Sequence, residues 1–364
     1  MRDLDLKRQG VRSFKKVSRK VITLSHDTLV QVQPLREGQS LPLLVQPSVK
    51  GIKLLAWVQQ NREWIQTKVL HYGALLFRDF SIAGVTEFQQ CVKAVSGGAL
   101  EYRFRASPRT EVGKHVYTAT NYPADQSIFP HNEHAFSPIF PLHLYFFCDI
   151  PAQEGGETPI GDTRQLLRRI APEVREQFLK KKIMYVRNYG DGFGLPWQTV
   201  FQTKDKAEVE AYCRRVGIDV EWKGGSRLRT RQVGPAIMRH PRTEEYVWFN
   251  HGTFFHVSTL EATIREALLK EFSEEDLPQN TYYGDGNPIE SHVLEHLRAI
   301  YQQAMVEFPW QQGDVVFLDN MLALHARKPF VGNRRILVAM AEACRSEDLY
   351  LCQEEELGCQ IQTL

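Results

Sequence analysis

The distribution of strand-forming runs restricts this chain more than any other feature. A long apolar and aromatic run, Leu142-His143-Leu144-Tyr145-Phe146-Phe147-Cys148, is answered far along the chain by Gly313-Asp314-Val315-Val316-Phe317-Leu318 and Arg335-Ile336-Leu337-Val338-Ala339-Met340. Runs of this composition, bounded by turn residues, read as buried strands. Shorter strand signals lie at 21–50, at Val69–Phe77 with Gly73 at its entry, and at Ile183–Val186, Ile218–Trp222, Val233–Met238 and Tyr246–Phe249. Helical spacing occupies Leu54–Trp64, Val85–Val95, the segment after Asp162 (which can cap it), Lys206–Val216, Leu260–Phe272 and Pro288–Gln303. Strands therefore crowd both ends of the core, and helices fill the middle. A doubly wound sheet needs regular βαβα alternation, which is missing, so the expected fold class is mainly β with added helices, a sandwich or jelly roll. Residues 319–333 read as a loop between the last two strands.

One segment carries chemistry in its residue types. In Pro130-His131-Asn132-Glu133-His134 an extended backbone would point residues i and i+2 the same way, so His131 and Glu133 project together and His134 points away. An imidazole and a carboxylate side by side are two members of the 2-His-1-carboxylate set that suits non-haem Fe(II) and leaves positions open. Two later features belong with it. Gly155-Gly156-Glu157-Thr158 follows the apolar run, and Asp319-Asn320-Met321-Leu322-Ala323-Leu324-His325-Ala326-Arg327 supplies a late histidine, followed by Gly332-Asn333-Arg334-Arg335 at the entry to a strand.

On these motifs the chain resembles the taurine dioxygenase (TauD/TfdA) family of Fe(II)/2-oxoglutarate-dependent oxygenases. Within it, the chain is similar to the branch that holds the syringomycin-biosynthesis hydroxylase and clavaminate synthase. The resemblance spans roughly residues 50–345 and is concentrated at 128–165 and 312–342. It implies a double-stranded β-helix (a clavaminate synthase-like jelly roll) with His131, Glu133 and His325 as catalytic iron ligands. It also implies Arg335 (rather than its neighbour Arg334) on the distal carboxylate of 2-oxoglutarate, with Thr158 assisting. Most of the family has Asp where this chain has Glu133, and the clavaminate synthase-like branch shares the Glu. The implied cofactors are Fe(II), the co-substrate 2-oxoglutarate and O2, and the charges of iron, Glu133, 2-oxoglutarate and Arg335 cancel, as a buried site favours. The implied reaction is hydroxylation of an unactivated C–H bond with succinate and CO2 as co-products. The intact carboxylate argues against a halogenase, whose iron needs that position for halide. The branch implies an amino acid or amino-acid-derived substrate, free or tethered to a carrier protein, in specialised metabolism such as antibiotic biosynthesis. Asn121, Asn250 and His251 are the candidate substrate contacts. Because His131 and His325 must meet at one metal, residues 46–364 are expected to form a single jelly-roll domain with a helical insertion at about 163–310, after an arm and lead-in at 1–45.

Other readings compete. His292-Val293-Leu294-Glu295-His296 matches an inverted zinc-protease motif, with His292 and His296 one helical turn apart, and a zinc hydrolase would use it. A non-catalytic ligand-binding jelly roll would need no open metal site at all. The glycine-rich stretch 190–194 lacks the strand–turn–helix context of a phosphate loop. Lys223, Arg227, Arg229 and Arg231 read either as a solvated strand face or as a docking patch for an acidic partner. Residues 1–20 hold eight basic and two acidic side chains, whereas the whole chain has a net charge of +2, so a basic arm precedes a mildly acidic body. That balance argues against a nucleic-acid partner. No uncharged apolar stretch is long enough to span a membrane. The six cysteines show no paired spacing, which suits a reducing, cytoplasmic setting. The partner is then a small or carrier-tethered substrate.

Overall fold

The computed structural model describes residues 29–39, 41–101, 109–190 and 194–349. Most of the N-terminal arm, the centre of the glycine-rich stretch 190–194 and the last two cysteines lie outside them. The strands are β1 Val30–Pro34, β2 Leu43–Pro47, β3 Ala74–Phe77, β4 Glu111–Gly113, β5 Val116–Thr118, β6 Ile128–His131, β7 Ile139–Ile150, β8 Glu154–Gly155, β9 Ile160–Asp162, β10 Ile183–Tyr189, β11 Ile218–Trp222, β12 Leu228–Gly234, β13 Ile237–Arg239, β14 Tyr246–Trp248, β15 Gln279–Tyr283, β16 Met305–Val306, β17 Val315–Asp319, β18 Ala323–Arg327, β19 Phe330–Val331 and β20 Arg335–Arg345. The helices used below are α1 Leu54–Gln60, α2 Arg62–Tyr72, α3 Val85–Ser96, α4 Thr163–Arg169, α5 Pro172–Lys181, α6 Trp197–Phe201, α7 Lys206–Arg215, α8 Gly252–Phe255, α9 Ala262–Glu271 and α10 Ser291–Gln303. No described helix is long and apolar enough to cross a membrane.

The architecture is a jelly roll. An eight-stranded sheet in the order β1-β2-β3-β17-β7-β20-β5-β4 faces a four-stranded sheet in the order β16-β9-β18-β6. The three apolar runs of the sequence become the centre of the large sheet, with β7 antiparallel to both β17 and β20. They are apolar at nearly every position because both faces are covered. Tyr145 and Phe147 of β7, Val315 and Phe317 of β17, and Leu337 and Ala339 of β20 pack under the α1–α3 layer, against Trp57, Ile65 and Phe88. The alternate residues Leu144, Phe146, Val316, Leu318, Ile336 and Val338 face the other way, toward Ile160 and Ala323 of the small sheet. Phe317 lies opposite Tyr145 in the register, and their rings stack at 4.5 Å.

Three boundary expectations need correction. Val69–Tyr72 is the last turn of α2, not strand: Val69 continues the buried face that Ile65 begins, and Gly73 (φ 79) ends the helix by donating its N–H to Val69 O. The supposed loop 319–333 contains β18, every residue of which is buried. Its lead-in, Met321-Leu322, and its start, Ala323-Leu324, lack β-branched side chains, so local propensity hid a strand that tertiary pairing imposes. The segment at 163–310 is not purely helical. It carries a four-stranded sheet, β11-β12-β10-β15, and the β13–β14 hairpin. Their core includes Phe178, Tyr185, Trp248, Tyr283 and Leu297, and runs on through Phe136 to Leu324 of β18. The expected helix cap holds, since the Asp162 carboxylate accepts from the N–H groups of Arg164 and Gln165.

Three of the four basic side chains in the run at 223–231 pair with acidic side chains of the chain itself. Arg229 is buried and bonds Asp276 (2.6 Å) and Asn188 (2.9 Å), Lys223 bonds the same Asp276 (2.7 Å), and Arg231 pairs with Glu221 (2.8 Å). Acidic side chains of the chain itself take up these charges.

Candidate metal centre

β6 and β18 are neighbours in the small sheet, and His131 stands opposite His325 in their register. One antiparallel pair thus closes the 194-residue gap between the two histidines. Glu133 arrives by a different route from the one expected. The extended backbone stops at His131, and Glu133 sits in the following turn. Two buried amides hold it there. The Glu133 N–H donates to Asn320 Oδ1 (2.8 Å), and Asn320 Nδ2 donates to Glu133 O (2.9 Å) and Pro141 O (2.8 Å). Asn132 Nδ2 returns the favour by donating to Asn320 O (2.6 Å). The turn before β7 is therefore tied to the turn before β18, and donor atoms of His131, Glu133 and His325 come within 4.8 Å of one another.

The electrostatics suit a cation. Burial pulls His131 and His325 below the ordinary imidazole value, so at neutral pH both are uncharged donors. The Nδ1–H of His131 donates to Phe129 O (2.8 Å), which leaves Nε2 with the lone pair, and the ring stacks on Phe254 at 4.4 Å. The His325 ring is held by packing against His131 (4.4 Å) and Phe146 (5.1 Å). Its buried Nδ1 has no hydrogen-bond partner among the described residues. Burial pushes the Glu133 carboxyl up, but Arg109, then His134 and the two facing histidines, outweigh it and hold it well below the usual carboxylate range. Two neutral imidazoles and one carboxylate, buried together, are a donor set that fits a divalent metal.

His134 is buried, with φ 56 and its Nε2 3.5 Å from Glu133 Oε1, so it neighbours the ligand rather than facing solvent. His251 is also buried. It donates from Nε2 to Asn132 O (2.6 Å) and meets His131 edge-on at 5.9 Å, so it braces the metal turn. Burial depresses both, His134 to about 4 and His251 to about 3.

The cavity beside the histidines is lined by Arg109, His131, Phe146, Thr158, His325 and Arg334, among others. At its far end the Arg334 Nε donates to Gly156 O (2.8 Å) and its Nη2 to Thr158 Oγ1 (3.4 Å), and Thr158 Oγ1 also accepts from Trp310 Nε1 (3.1 Å). Burial and the nearby Arg327 pull the Arg334 guanidinium down to about 10, which leaves it cationic at neutral pH. Arg335 is elsewhere. Its side chain is 51% exposed and pairs with Asp149 on the outside of the sheet. The phase of β20 explains this: Ile336 and Val338 face inward, so Arg334 shares their side and Arg335 does not.

The remaining candidates separate clearly. Asn121 is exposed in the loop before β6. Asn250 bonds Ala236 O (2.9 Å) and accepts from Gly252 N (2.8 Å), which builds the turn into α8. Neither lines the cavity. In the zinc-protease-like motif, His292 and Glu295 are exposed, and His296 Nε2 accepts from the Ala171 N–H (3.1 Å) at the start of α5. Among the described residues these three do not assemble as a metal group. Arg109, Asn132 and Asn320 were invisible in the sequence as site residues. Only the Asp-Asn pair ahead of the His325 strand could have drawn attention.

The chain has relatives among known proteins. The model of the taurine catabolism dioxygenase TauD, TfdA family matches residues 31–340. The dapdiamide synthesis protein DdaC of Enterobacter agglomerans is 43% identical over 270 residues, 74% of this chain and 82% of DdaC. A clavaminate synthase-like protein of Arabidopsis thaliana is 28% identical over 335 residues, 87% of this chain and 98% of that protein. The crystal structure of PvcB from Pseudomonas aeruginosa has a TM-score of 0.54 at 17% identity, with 89% of this chain and 96% of PvcB covered. A second PvcB structure, that of an Fe, alpha-ketoglutarate dependent oxygenase from an isonitrile synthetic pathway, gives 0.53 at 18%. At such identities the structural likeness establishes the fold.

Proposed function

The chain belongs to the taurine catabolism dioxygenase TauD, TfdA family, and from that premise we propose that it hydroxylates an unactivated C–H bond of an amino acid or amino-acid-derived substrate, free or carrier-tethered. It is an Fe(II)/2-oxoglutarate-dependent oxygenase of that family. His131, Glu133 and His325 hold the iron in this reading, and Arg334 with Thr158 holds the distal carboxylate of 2-oxoglutarate. The observation that carries it is the His131–His325 register pair, with Glu133 clamped beside it, at one end of a cavity whose other end is Arg334 on Thr158. The relative from dapdiamide synthesis supports a place in specialised metabolism.

Bound Fe(II), with 2-oxoglutarate and O2, supplies a two-electron oxidation in which one oxygen atom enters the substrate and the other enters succinate, with release of CO2. The chain's own residues prepare that chemistry. The His131 Nδ1–H bond to Phe129 O fixes the tautomer, and Phe254 fixes the ring plane. The Asn132–Asn320 clamp sets where the Glu133 carboxylate stands. The guanidinium of Arg334 offers a fixed cation to a carboxylate, and Thr158 steadies it. Phe146 and Ile336 give the cavity apolar walls that exclude water.

The decisive test is anaerobic addition of Fe(II) and 2-oxoglutarate, followed by visible absorption. Wild type is expected to show a charge-transfer band and His131→Ala to lack it. A normal band in the variant overturns the ligand assignment, and its absence from wild type would favour a non-catalytic jelly roll.

A further inference from the structure

Arg109 stands outside every motif discussed so far, yet among the described residues it is the side chain nearest the Glu133 carboxylate. Its Nη2 is 3.0 Å from both Oε1 and Oε2 of Glu133, and both side chains are 5% exposed. A single guanidinium nitrogen therefore engages the two oxygens of the carboxylate that the iron would need. A guanidinium hydrogen-bonded to both oxygens takes up a lone pair on each and repels a dication that approaches either, so the ion pair and a metal compete for this carboxylate. Arg109 also lines the cavity that runs from His131 to Arg334. A second cation lies on the same side of the metal turn. Arg187 of β10 is half-buried with its guanidinium over Phe136 (4.9 Å) and near Phe255 (6.0 Å), the rings that pack on His251. No carboxylate pairs with it among the described residues. Iron, Glu133, 2-oxoglutarate and Arg334 already cancel in charge, so the Arg109 guanidinium adds a positive charge to this cavity that an anionic substrate would offset.

We propose that Arg109 is the counter-ion of Glu133 in the metal-free enzyme, gives up that carboxylate when the metal binds, and then receives a carboxylate of the substrate. The proposal rests on the oxygenase reading for its last step only. Metal loading and Arg109–Glu133 pairing are competing events, and the linkage between them is reciprocal. Before loading, the ion pair keeps a buried carboxylate neutralised. After loading, the displaced guanidinium makes the open side of the site selective for an acid over its neutral ester or amide.

Mn(II) titration calorimetry tests the exchange without turnover, on wild type, Arg109→Gln and Arg109→Lys. With metal alone, Arg109→Gln is expected to bind Mn(II) about tenfold more tightly than wild type, the effect of removing one charged competitor. Arg109→Lys, which keeps the cation, should stay near wild type. Equal or weaker binding by Arg109→Gln overturns the competition. The titration is then repeated with saturating 2-oxoglutarate, with acetate as the probe carboxylate at constant ionic strength. Acetate should tighten Mn(II) binding in wild type and not in Arg109→Gln. No effect in wild type, or the same effect in the variant, overturns the hand-over. If 2-oxoglutarate fails to tighten Mn(II) binding in any protein, the oxygenase reading fails, while the metal-only titrations still decide the role of Arg109.

Discussion

The two ends of the cavity are built by different means. At the metal end, three side chains from two strands and a turn are fixed by backbone register and by amides with almost no freedom: His131 opposite His325, and Glu133 bonded at both N–H and C=O to Asn320. The surroundings are imidazoles that burial keeps neutral. At the anchor end a single long guanidinium reaches in from the start of β20, steered by one carbonyl, one hydroxyl and the stack of its planar group near Phe330 (5.5 Å). The first end derives its precision from the sheet, and the second from a few contacts around one flexible stem. The metal end should therefore respond to changes in protonation, and the anchor end to small changes in shape.

The largest expected effect tests whether the anchor is where the geometry puts it. Arg334→Met should weaken 2-oxoglutarate binding about a hundredfold, since a charge-assisted carboxylate pair contributes about 2.7 kcal/mol. Arg335→Met should stay within about threefold, because an exposed ion pair with Asp149 contributes little. Quenching of the charge-transfer titration reads both. A reversed order would return the anchor to Arg335 and remove the contrast between the ends.

The next effect is smaller and belongs to the metal end. His134 and His251 are neutral in the fold, with values of about 4 and about 3 against 6.5 when exposed. Below 6.5 the unfolded chain binds protons that the folded chain refuses, so stability falls as pH falls, through a window that closes near those folded values. From about pH 7 to about pH 5 each histidine should cost the metal-free protein about 2 kcal/mol. Urea unfolding at the two pH values measures it. His251→Gln can still donate to Asn132 O and should reduce the drop by its own share of about 2 kcal/mol. The arginines of the anchor end are charged throughout this range and add no slope. A pH-independent midpoint would mean that the metal end is wetter than its burial indicates.

The same contrast explains which parts of the site could be read from the sequence. His131, Glu133 and His325 were legible because rare residue types in order carry the chemistry themselves. The fold class was legible because three apolar runs can only be central strands. The proposed anchor differs from the one expected, Arg334 in place of Arg335, for a physical reason. Residues 336–341 are apolar at every position, since β20 is covered on both faces, so the sequence shows a strand without showing which residues face inward. The Arg334/Arg335 choice is that missing phase. β18 was missed because its early residues are poor strand formers held by pairing with β6 and β9. Asn132, Asn320 and Arg109 act through contacts with residues distant in sequence, and no local pattern announces them.

The smallest expected effect separates shape from charge at the anchor end, and two adjacent glycines provide it. Both have left-handed backbones, Gly155 at φ 67 and Gly156 at φ 72. A Cβ on Gly155 would sit 2.4 Å from the Pro329 carbonyl oxygen, backbone that cannot move without parting β8 from β19. A Cβ on Gly156 would meet Arg334 Cδ at 2.9 Å and Phe330 Cβ at 3.0 Å, which are side-chain atoms able to shift. Gly156→Ala should therefore push the Arg334 stem off its line and raise the 2-oxoglutarate dissociation constant about tenfold, with part of the backbone strain of about 1–2 kcal/mol appearing as lost stability. Mn(II) affinity measured without 2-oxoglutarate should not change. Gly155→Ala should lower the melting temperature more than Gly156→Ala while altering the ratio of 2-oxoglutarate to metal affinity less. If Gly156→Ala weakens Mn(II) and 2-oxoglutarate equally, the two ends are not independent, and the anchor owes its position to the metal-binding sheet rather than to the contacts around Arg334.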